Sequence, residues 1–272
     1  LIHTLIEADC SRLTRWLMSM PPAVLGTTYF NFLASHDGVG LRPVEGLLSS
    51  GELDSMVDCL QSNGALLSWR ETAEGDRSIY EVNVSLYDAF KFQRADVETT
   101  LSRMILAHAI VLGLEGIPAL YIHSFLGTEN DLERVQNTGH NRAINRHQWD
   151  MDELTQHLTD PESHHALCLS GLKALIQIRQ RQPAFHPNAT QYTLNCGQSI
   201  FGFWRQSHDR VQSVFCLYNV TGESSSISTA SLNLVGNDTW EDLITGLALE
   251  SAVDGEIAMM PYQAIWLTNR PA

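Results

Sequence analysis

The sequence predicts an α/β unit followed by an antiparallel β domain, and three observations carry this reading. Two short runs, 27–33 and 119–122, have the uninterrupted hydrophobicity of parallel strands buried on both faces. Amphipathic runs of helical length stand before, between and after them. From about Pro187 these long periods give way to short runs separated by Gly, Asn, Asp or Ser, the pattern of an antiparallel β-sandwich.

Each element follows from local spacing. Ile2, Leu5, Ile6, Leu13, Trp16 and Leu17 predict a helix over 1–20 that Pro21-Pro22 ends. Residues 27–33 form the first strand. Residues 41–93 lose the strand–helix rhythm: a short helix over 51–63 precedes two runs, 66–70 and 78–84, that form a hairpin across Glu74-Gly75-Asp76. This is too long for a plain βα loop and is expected to be an inserted subdomain above the strand ends. A helix over 95–114, closed by Gly113 and Gly116-Ile117-Pro118, leads into the second strand, 119–122. A polar segment follows to Asp150, then a helix over 167–181. Runs at 191–196, 200–206, 211–220, 226–234, 240–244, 256–260 and 264–268 are the strands of the final domain.

Two parallel strands leave open edges, and a closed barrel of such units needs eight repeats. The expected architecture is therefore the carboxyl-terminal part of a (β/α)8 barrel over 1–186, with the insertion at about 41–93, followed by a β-sandwich domain over 187–272. The start at Leu1 has neither Met nor a signal-like segment, so further residues are expected upstream.

Composition narrows the function. Acidic residues outnumber basic ones 31 to 17, giving a net charge of −14, and no basic run occurs. Nucleic acid and anionic membrane are thereby disfavoured as partners, and any anionic ligand must be held by a few local arginines. No apolar run reaches the length of a membrane span. The five cysteines are scattered without a CxxC pair, so they read as reduced thiols in a cytoplasmic protein and not as a disulfide or zinc framework.

The chemistry concentrates after the first strand, in Ser35-His36-Asp37-Gly38-Val39-Gly40. Polar residues at a strand's carboxyl end are where barrel enzymes place their reactive groups, and the two glycines let the backbone turn beside a ligand. By pattern alone, a strand-end Asp capping a loop explains Asp37 equally well.

Phe32-Leu33-Ala34-Ser35-His36-Asp37-Gly38-Val39-Gly40-Leu41-Arg42-Pro43 resembles the α-amylase superfamily (glycoside hydrolase family 13), in its sucrose-phosphorylase-like subfamily, where a His-Asp pair after strand seven is the fourth signature motif. Further stretches agree in order. Tyr80-Glu81-Val82-Asn83 with Tyr87-Asp88-Ala89 resembles the acceptor-side loop, and Gly116-Ile117-Pro118-Ala119-Leu120-Tyr121 the eighth barrel strand. Gly127 to Asp131 with Asn141-Arg142-Ala143-Ile144-Asn145-Arg146 is similar to the mobile loop and its Asn-Arg signature. Trp240-Glu241-Asp242-Leu243 and Pro261-Tyr262-Gln263-Ala264-Ile265-Trp266-Leu267 resemble the closing β domain.

The resemblance implies a retaining glycosyl transfer, in which one carboxylate attacks, a carboxylic acid protonates the departing oxygen, and a third carboxylate stabilises the oxocarbenium-like transition state. Asp37 takes the third role and His36 binds a hydroxyl of the glucosyl unit. Tyr80 and Glu81 line the acceptor pocket, although Tyr80 equally suits a subdomain core. Arg142 seats the phosphate anion; its alternative is a surface pair with Asp131 or Glu133. Asn145 and Arg146 hold the loop's shape. The nucleophile and the acid are expected upstream of Leu1. Arg94-Ala95-Asp96 has the nucleophile's spacing, but no strand precedes it, and Asp96 reads as a helix start. His123, His140 and His147 match no metal-ligand spacing, and neither metal nor cofactor is implied.

The function expected is that of a glucoside phosphorylase acting on a small carbohydrate and inorganic phosphate to give α-glucose 1-phosphate, this portion alone being inactive. Sucrose, phosphorylated sucrose, glucosylglycerol and glucosylglycerate stay open as donors. The rival readings are a hydrolase or transglucosidase of the same superfamily, and a non-catalytic carbohydrate-binding or assembly fragment that associates with itself or with the missing half of the barrel.

Overall fold

The computed structural model describes residues 1–272 except 25, 72–74, 76, 233, 235–238, 250–254 and 270–272. Ala8 takes a left-handed backbone, φ 53°, and divides the amino-terminal segment into Ile2–Glu7 (α1) and Ser11–Ser19 (α2). The single helix expected there is therefore two. The Asp9 carboxylate accepts the Ser11 N–H at 2.7 Å, so the break is a side-chain-stabilised turn.

Phe30–Asn31 (β1) pairs in parallel with Ile117–Pro118 (β5). Tyr29 and Asn31 carbonyls accept the Ile117 and Ala119 N–H groups at 2.9 and 2.8 Å, which leaves Pro118 at a position where no donor is needed. The first strand is shorter than its apolar run, and the second lies wholly before the expected 119–122, none of whose residues it contains. Among the described residues each has the other as its one neighbour, so nothing extends the ladder, and Ile122 already opens a helix. Gly116 (φ 115°) is required here: a Cβ would lie 2.6 Å from the Tyr29 carbonyl oxygen.

Between these strands lies the insertion. Val39–Gly40 (β2), Leu66–Glu71 (β3) and Arg77–Asn83 (β4) form an antiparallel sheet with β4 in the centre, the chain passing through Ser50–Ser62 (α3) on the way. Ser49 and Glu52 cap α3 reciprocally, and those hydrogen bonds, Ser49's hydroxyl foremost, pull the Glu52 carboxyl down to about 2. The hairpin is as expected, but Glu74 and Asp76 of its turn lie outside the described residues. A short helix, Leu86–Ala89 (α4), leads to Asp96, which caps Val97–Gly113 (α5) by accepting the Thr99 N–H at 2.8 Å.

The segment after β5, expected to be merely polar, carries Ile122–Phe125 (α6), Leu132–Thr138 (α7) and Met151–Thr159 (α8) before Ser163 caps His164–Gln180 (α9). Asp131 and Asp150 supply the caps of α7 and α8, and Gly139 (φ 69°) ends α7. Among the described residues no helix is long and apolar enough to cross a membrane.

The final strands are Thr190–Leu194 (β6), Ile200–Gln206 (β7), Ser213–Asn219 (β8), Ser225–Ser228 (β9), Glu241–Asp242 (β10), Glu256–Met259 (β11) and Ala264–Thr268 (β12). Five form an antiparallel sheet in the order β10-β12-β8-β7-β6, and β9 and β11 form a separate antiparallel ribbon. The run at 226–234 is strand only to Ser228, after which a 3-10 turn covers Thr229–Leu232. Side chains alternate across the larger sheet. Phe201, Phe203, Cys216, Tyr218 and Trp266 join the core that contains α5, whereas Ile200, Phe215, Leu217, Ile265 and Leu267 face the second core, with Ile227, Ile257 and Met259 of the ribbon.

The first core runs from Ile2 to Trp266, across the expected division at residue 187. Two buried arginines fasten that junction. Arg205 donates to the carbonyls of Gly113 and His186, both at 2.8 Å, and burial lowers its pKa to about 10. Arg103 donates to Phe90 and Phe92 carbonyls at 2.9 Å and to the Tyr262 hydroxyl at 3.0 Å. Among the described residues neither has a carboxylate partner; each serves as a fork of donors, chiefly for backbone carbonyls. All five cysteines are free thiols, and burial pushes Cys168, Cys196 and Cys216 up to about 12.

Candidate active site

The turn after β1 is built by Ser35 and Gly38, whose backbones exchange hydrogen bonds at 3.1 and 3.2 Å, while the Ser35 hydroxyl accepts the Asp37 N–H. Gly38 (φ 110°) lies so close to β4 that a Cβ would sit 2.3 Å from the Val82 carbonyl oxygen. The glycine thus lets the turn touch the insertion. Gly40, by contrast, has no heavy atom within 4 Å of its ideal Cβ and no positive φ, so its expected need for a bare backbone is not found.

This contact brings all five sequence-predicted residues together. Asp37 Oδ1 lies 3.3 Å from His36 Nε2 and 3.5 Å from Arg142 Nε. Arg142 Nε donates to Glu81 Oε2 at 3.0 Å, and its Nη2 donates to the Tyr80 hydroxyl. The carboxylate of Glu81, foremost among its neighbours, holds the Arg142 guanidinium above its ordinary pKa. Arg142 pairs with the site carboxylates and not with Asp131, which caps α7 and pairs with His147 at 2.7 Å. The Tyr80 hydroxyl accepts from Arg142 in the same cluster, and the residue is half-buried, not enclosed in the core.

Three residues given lesser roles or none in the sequence reading belong to the same cluster. Arg146 makes the shortest pair with Asp37, 2.5 Å from Nη2 to Oδ1, and donates to the His36 carbonyl. Asn145 donates to the Ser35 carbonyl at 2.7 Å. Asn83 donates to both the Asp37 carbonyl (2.7 Å) and Glu81 Oε2 (3.1 Å), and Ser68 fixes its amide oxygen at 2.7 Å. The spacing contained the signal: Glu81 and Asn83 point to one side of a strand, and Arg142 and Arg146 stand four apart in one loop.

Tyr87 and Asp88 do not reach the cluster. Asp88 accepts the Asn130 N–H at 2.6 Å and pairs with Lys91, which also binds Glu129, so these residues anchor the 127–131 segment. Beside Arg142 and Arg146 opens a cleft of about 650 Å³, also lined by Ser68, Arg134, Thr138, His140 and Asn141. Among the described residues no three His, Cys, Asp or Glu side chains gather into a group that could hold a metal.

The pairs at Asp37 are about a quarter to two-fifths exposed. At such exposure each contributes ~1 kcal/mol or less to stability, so folding alone gives little reason to collect two carboxylates, two guanidiniums and a phenol at one point. The arrangement can, however, accept hydroxyl protons through Asp37 and Glu81 and offer cationic donors to an anion.

No family model matches the chain. The chain is 35% identical over 269 residues to a glucosylglycerate phosphorylase of Escherichia coli (strain K12), covering 98% of this chain and 46% of that protein. A glucosylglycerate phosphorylase of Spirochaeta thermophila is 31% identical over 98% of the chain, and a sucrose phosphorylase of Agrobacterium vitis 28% identical over 75%. The chain thus spans about half the length of the curated relatives it matches. In fold it resembles the sucrose 6F-phosphate phosphorylase of Thermoanaerobacter thermosaccharolyticum, with a TM-score of 0.65 over 80% of this chain and 41% of that one, at 24% identity. It also resembles AmyP in complex with maltose, with a TM-score of 0.56 over 69% of this chain and 39% of that one, at 17% identity. With the His36-Asp37 turn, the Tyr80-Glu81 strand and the 141–146 loop meeting at one point, these likenesses identify the chain as a member of the sucrose-phosphorylase-like group of the α-amylase superfamily, glycoside hydrolase family 13, fitting its carboxyl-terminal portion.

Proposed function

We propose that the chain is the carboxyl-terminal portion of a retaining α-glucoside phosphorylase. Its β1 and β5 would be neighbouring strands of a (β/α)8 barrel, with 41–93 as the insertion above them and 187–272 as a β-sandwich domain. The observation that carries the proposal is the meeting of Asp37 and Glu81 with Arg142, beside a cleft rich in arginine. A hydrolase needs only water at its acceptor side, whereas a phosphorylase must seat an anion there, and guanidinium forks suit that task.

In the proposed reaction a carboxylate outside this chain attacks the anomeric carbon as an acid protonates the departing oxygen. The covalent glucosyl–enzyme bond is then broken by a phosphate oxygen from the same face, giving α-glucose 1-phosphate. Asp37 stabilises the positive charge that develops on the sugar in both steps, and His36 binds one of its hydroxyls. Tyr80 and Glu81 bind the acceptor, and Arg142 with Arg146 holds phosphate. The donor favoured is glucosylglycerate, because the relatives of that name align with 98% of the chain. The reduced cysteines support a cytoplasmic setting.

The test is an assay of the full-length protein with glucosylglycerate and sucrose, with and without phosphate. Glucose 1-phosphate released only when phosphate is present is the expected result; free glucose at a rate indifferent to phosphate would refute it.

A further inference from the structure

Among the described residues, one of the three arginines lining the cleft beside the carboxylates is uncommitted. Arg142 and Arg146 line it but are engaged by Glu81, Tyr80 and Asp37. Arg134 lines it too, and among the described residues its guanidinium has no hydrogen-bond or ion-pair partner; only its backbone bonds, to Asp131 and Thr138. Three guanidiniums thus meet two carboxylates, which leaves one positive charge in a chain of net charge −14. A free guanidinium at a concave surface is a fork of donors with room for a planar anion.

Its support is built in. The turn that carries α7 is fixed by the Asp131 cap at one end and Gly139 at the other, and Asp131 is further held by His147. At the far side of the cleft Asn141 donates to the Leu67 carbonyl at 3.0 Å, which ties that wall to β3. Arg134 is therefore set on a braced turn, facing an opening that is contiguous with the acceptor-side residues.

We propose that Arg134 binds a carboxylate carried by the departing or accepting group, and so selects glucosides with an acidic aglycone over neutral ones. The assignment rests on the phosphorylase reading for its place in the reaction, although the binding itself does not. A charge-assisted fork of this kind gives a discrimination of roughly 10- to 100-fold against a ligand that lacks the anion.

The experiment uses the full-length protein with Arg134→Met, which keeps the aliphatic stem, and Arg134→Lys, which keeps the charge but not the fork. The ratio of kcat/KM for glucosylglycerate to that for glucosylglycerol is expected to fall roughly 10- to 100-fold in R134M and less in R134K. An unchanged ratio would overturn the assignment. So would a KM for inorganic phosphate that rises while the ratio stays, because Arg134 would then belong to the phosphate. Calorimetric titration with glycerate and with glycerol separates this inference from the phosphorylase reading. Even without turnover, glycerate must bind the wild type more tightly than glycerol, and R134M must abolish the difference; equal binding of the two by the wild type refutes the site.

Discussion

Asp37 sits between the His36 imidazole and two guanidiniums, Arg142 and Arg146, and its main-chain carbonyl is held by Asn83. So many neighbours fix the carboxylate's orientation in advance, as the proposed electrostatic stabilisation of a transition state demands. Exchanging its charge for an amide of the same shape tests this. In the full-length protein Asp37→Asn should lower kcat by ~100-fold or more, while the melting transition of the same variant should move by ~1 kcal/mol or less, since the pairs are partly exposed. A loss of stability comparable to the loss of activity would make Asp37 a structural residue.

At the scale of elements, α5 decides how the molecule is held together. It is buried on both sides, against α9 and against the larger sheet, where the Tyr218 hydroxyl donates to the Ala109 carbonyl at 3.1 Å and leaves no room for a side chain at Gly113. His108 lies wholly inside this packing, its Nδ1 2.8 Å from the Met104 carbonyl, and burial lowers its pKa to about 4. In the unfolded chain the same imidazole titrates near ~6.5. Between these values the unfolded state binds the extra proton, so stability is complete above ~6.5 and declines as the pH falls toward 4. By pH 5 the loss from this residue should reach ~2 kcal/mol. Half-buried His164 and buried His165 have pKa values shifted in the same direction by desolvation and add to it. Denaturant titrations at pH 7 and pH 5 should show that decline, and His108→Leu should remove its share.

The helices of this region were legible because their periods are long and their caps conventional, as at Asp96 and Ser49. The parallel strands were legible in kind but not in extent. Apolarity marks a run as buried, whereas pairing depends on neighbours that local sequence does not specify. The same reason explains the site. His36, Asp37, Tyr80, Glu81 and Arg142 were identified by motif, but the position of Arg146 depends on a loop closing back over a turn 109 residues away. The uncommitted state of Arg134 could not be read at all, because it is a fact about which acids face elsewhere.

At the scale of the whole molecule, the parallel pair β1–β5 is exposed. Phe30 and Phe32 keep 65% and 55% of their surface open, and Ile117 keeps 45%. Among the described residues each of these two strands pairs only with the other. If they are internal barrel strands, as proposed, the isolated chain should associate with itself or with the rest of the barrel. Sedimentation velocity across a hundredfold concentration range should show association, weakened by Phe30→Asp; a monomer at every concentration would speak against the barrel assignment.

The Cys10 thiol donates to the Gly197 carbonyl, across 187 residues of chain, and the neighbouring Cys10 N–H donates to Gln198 at 2.8 Å. At ordinary rates of synthesis α2 therefore emerges roughly 10 to 40 s before the sheet it docks on. During that interval the contacts of Leu13, Trp16 and Leu17 with the sheet are not yet available. The yield of the chain on refolding should therefore fall with concentration more steeply than its final stability suggests.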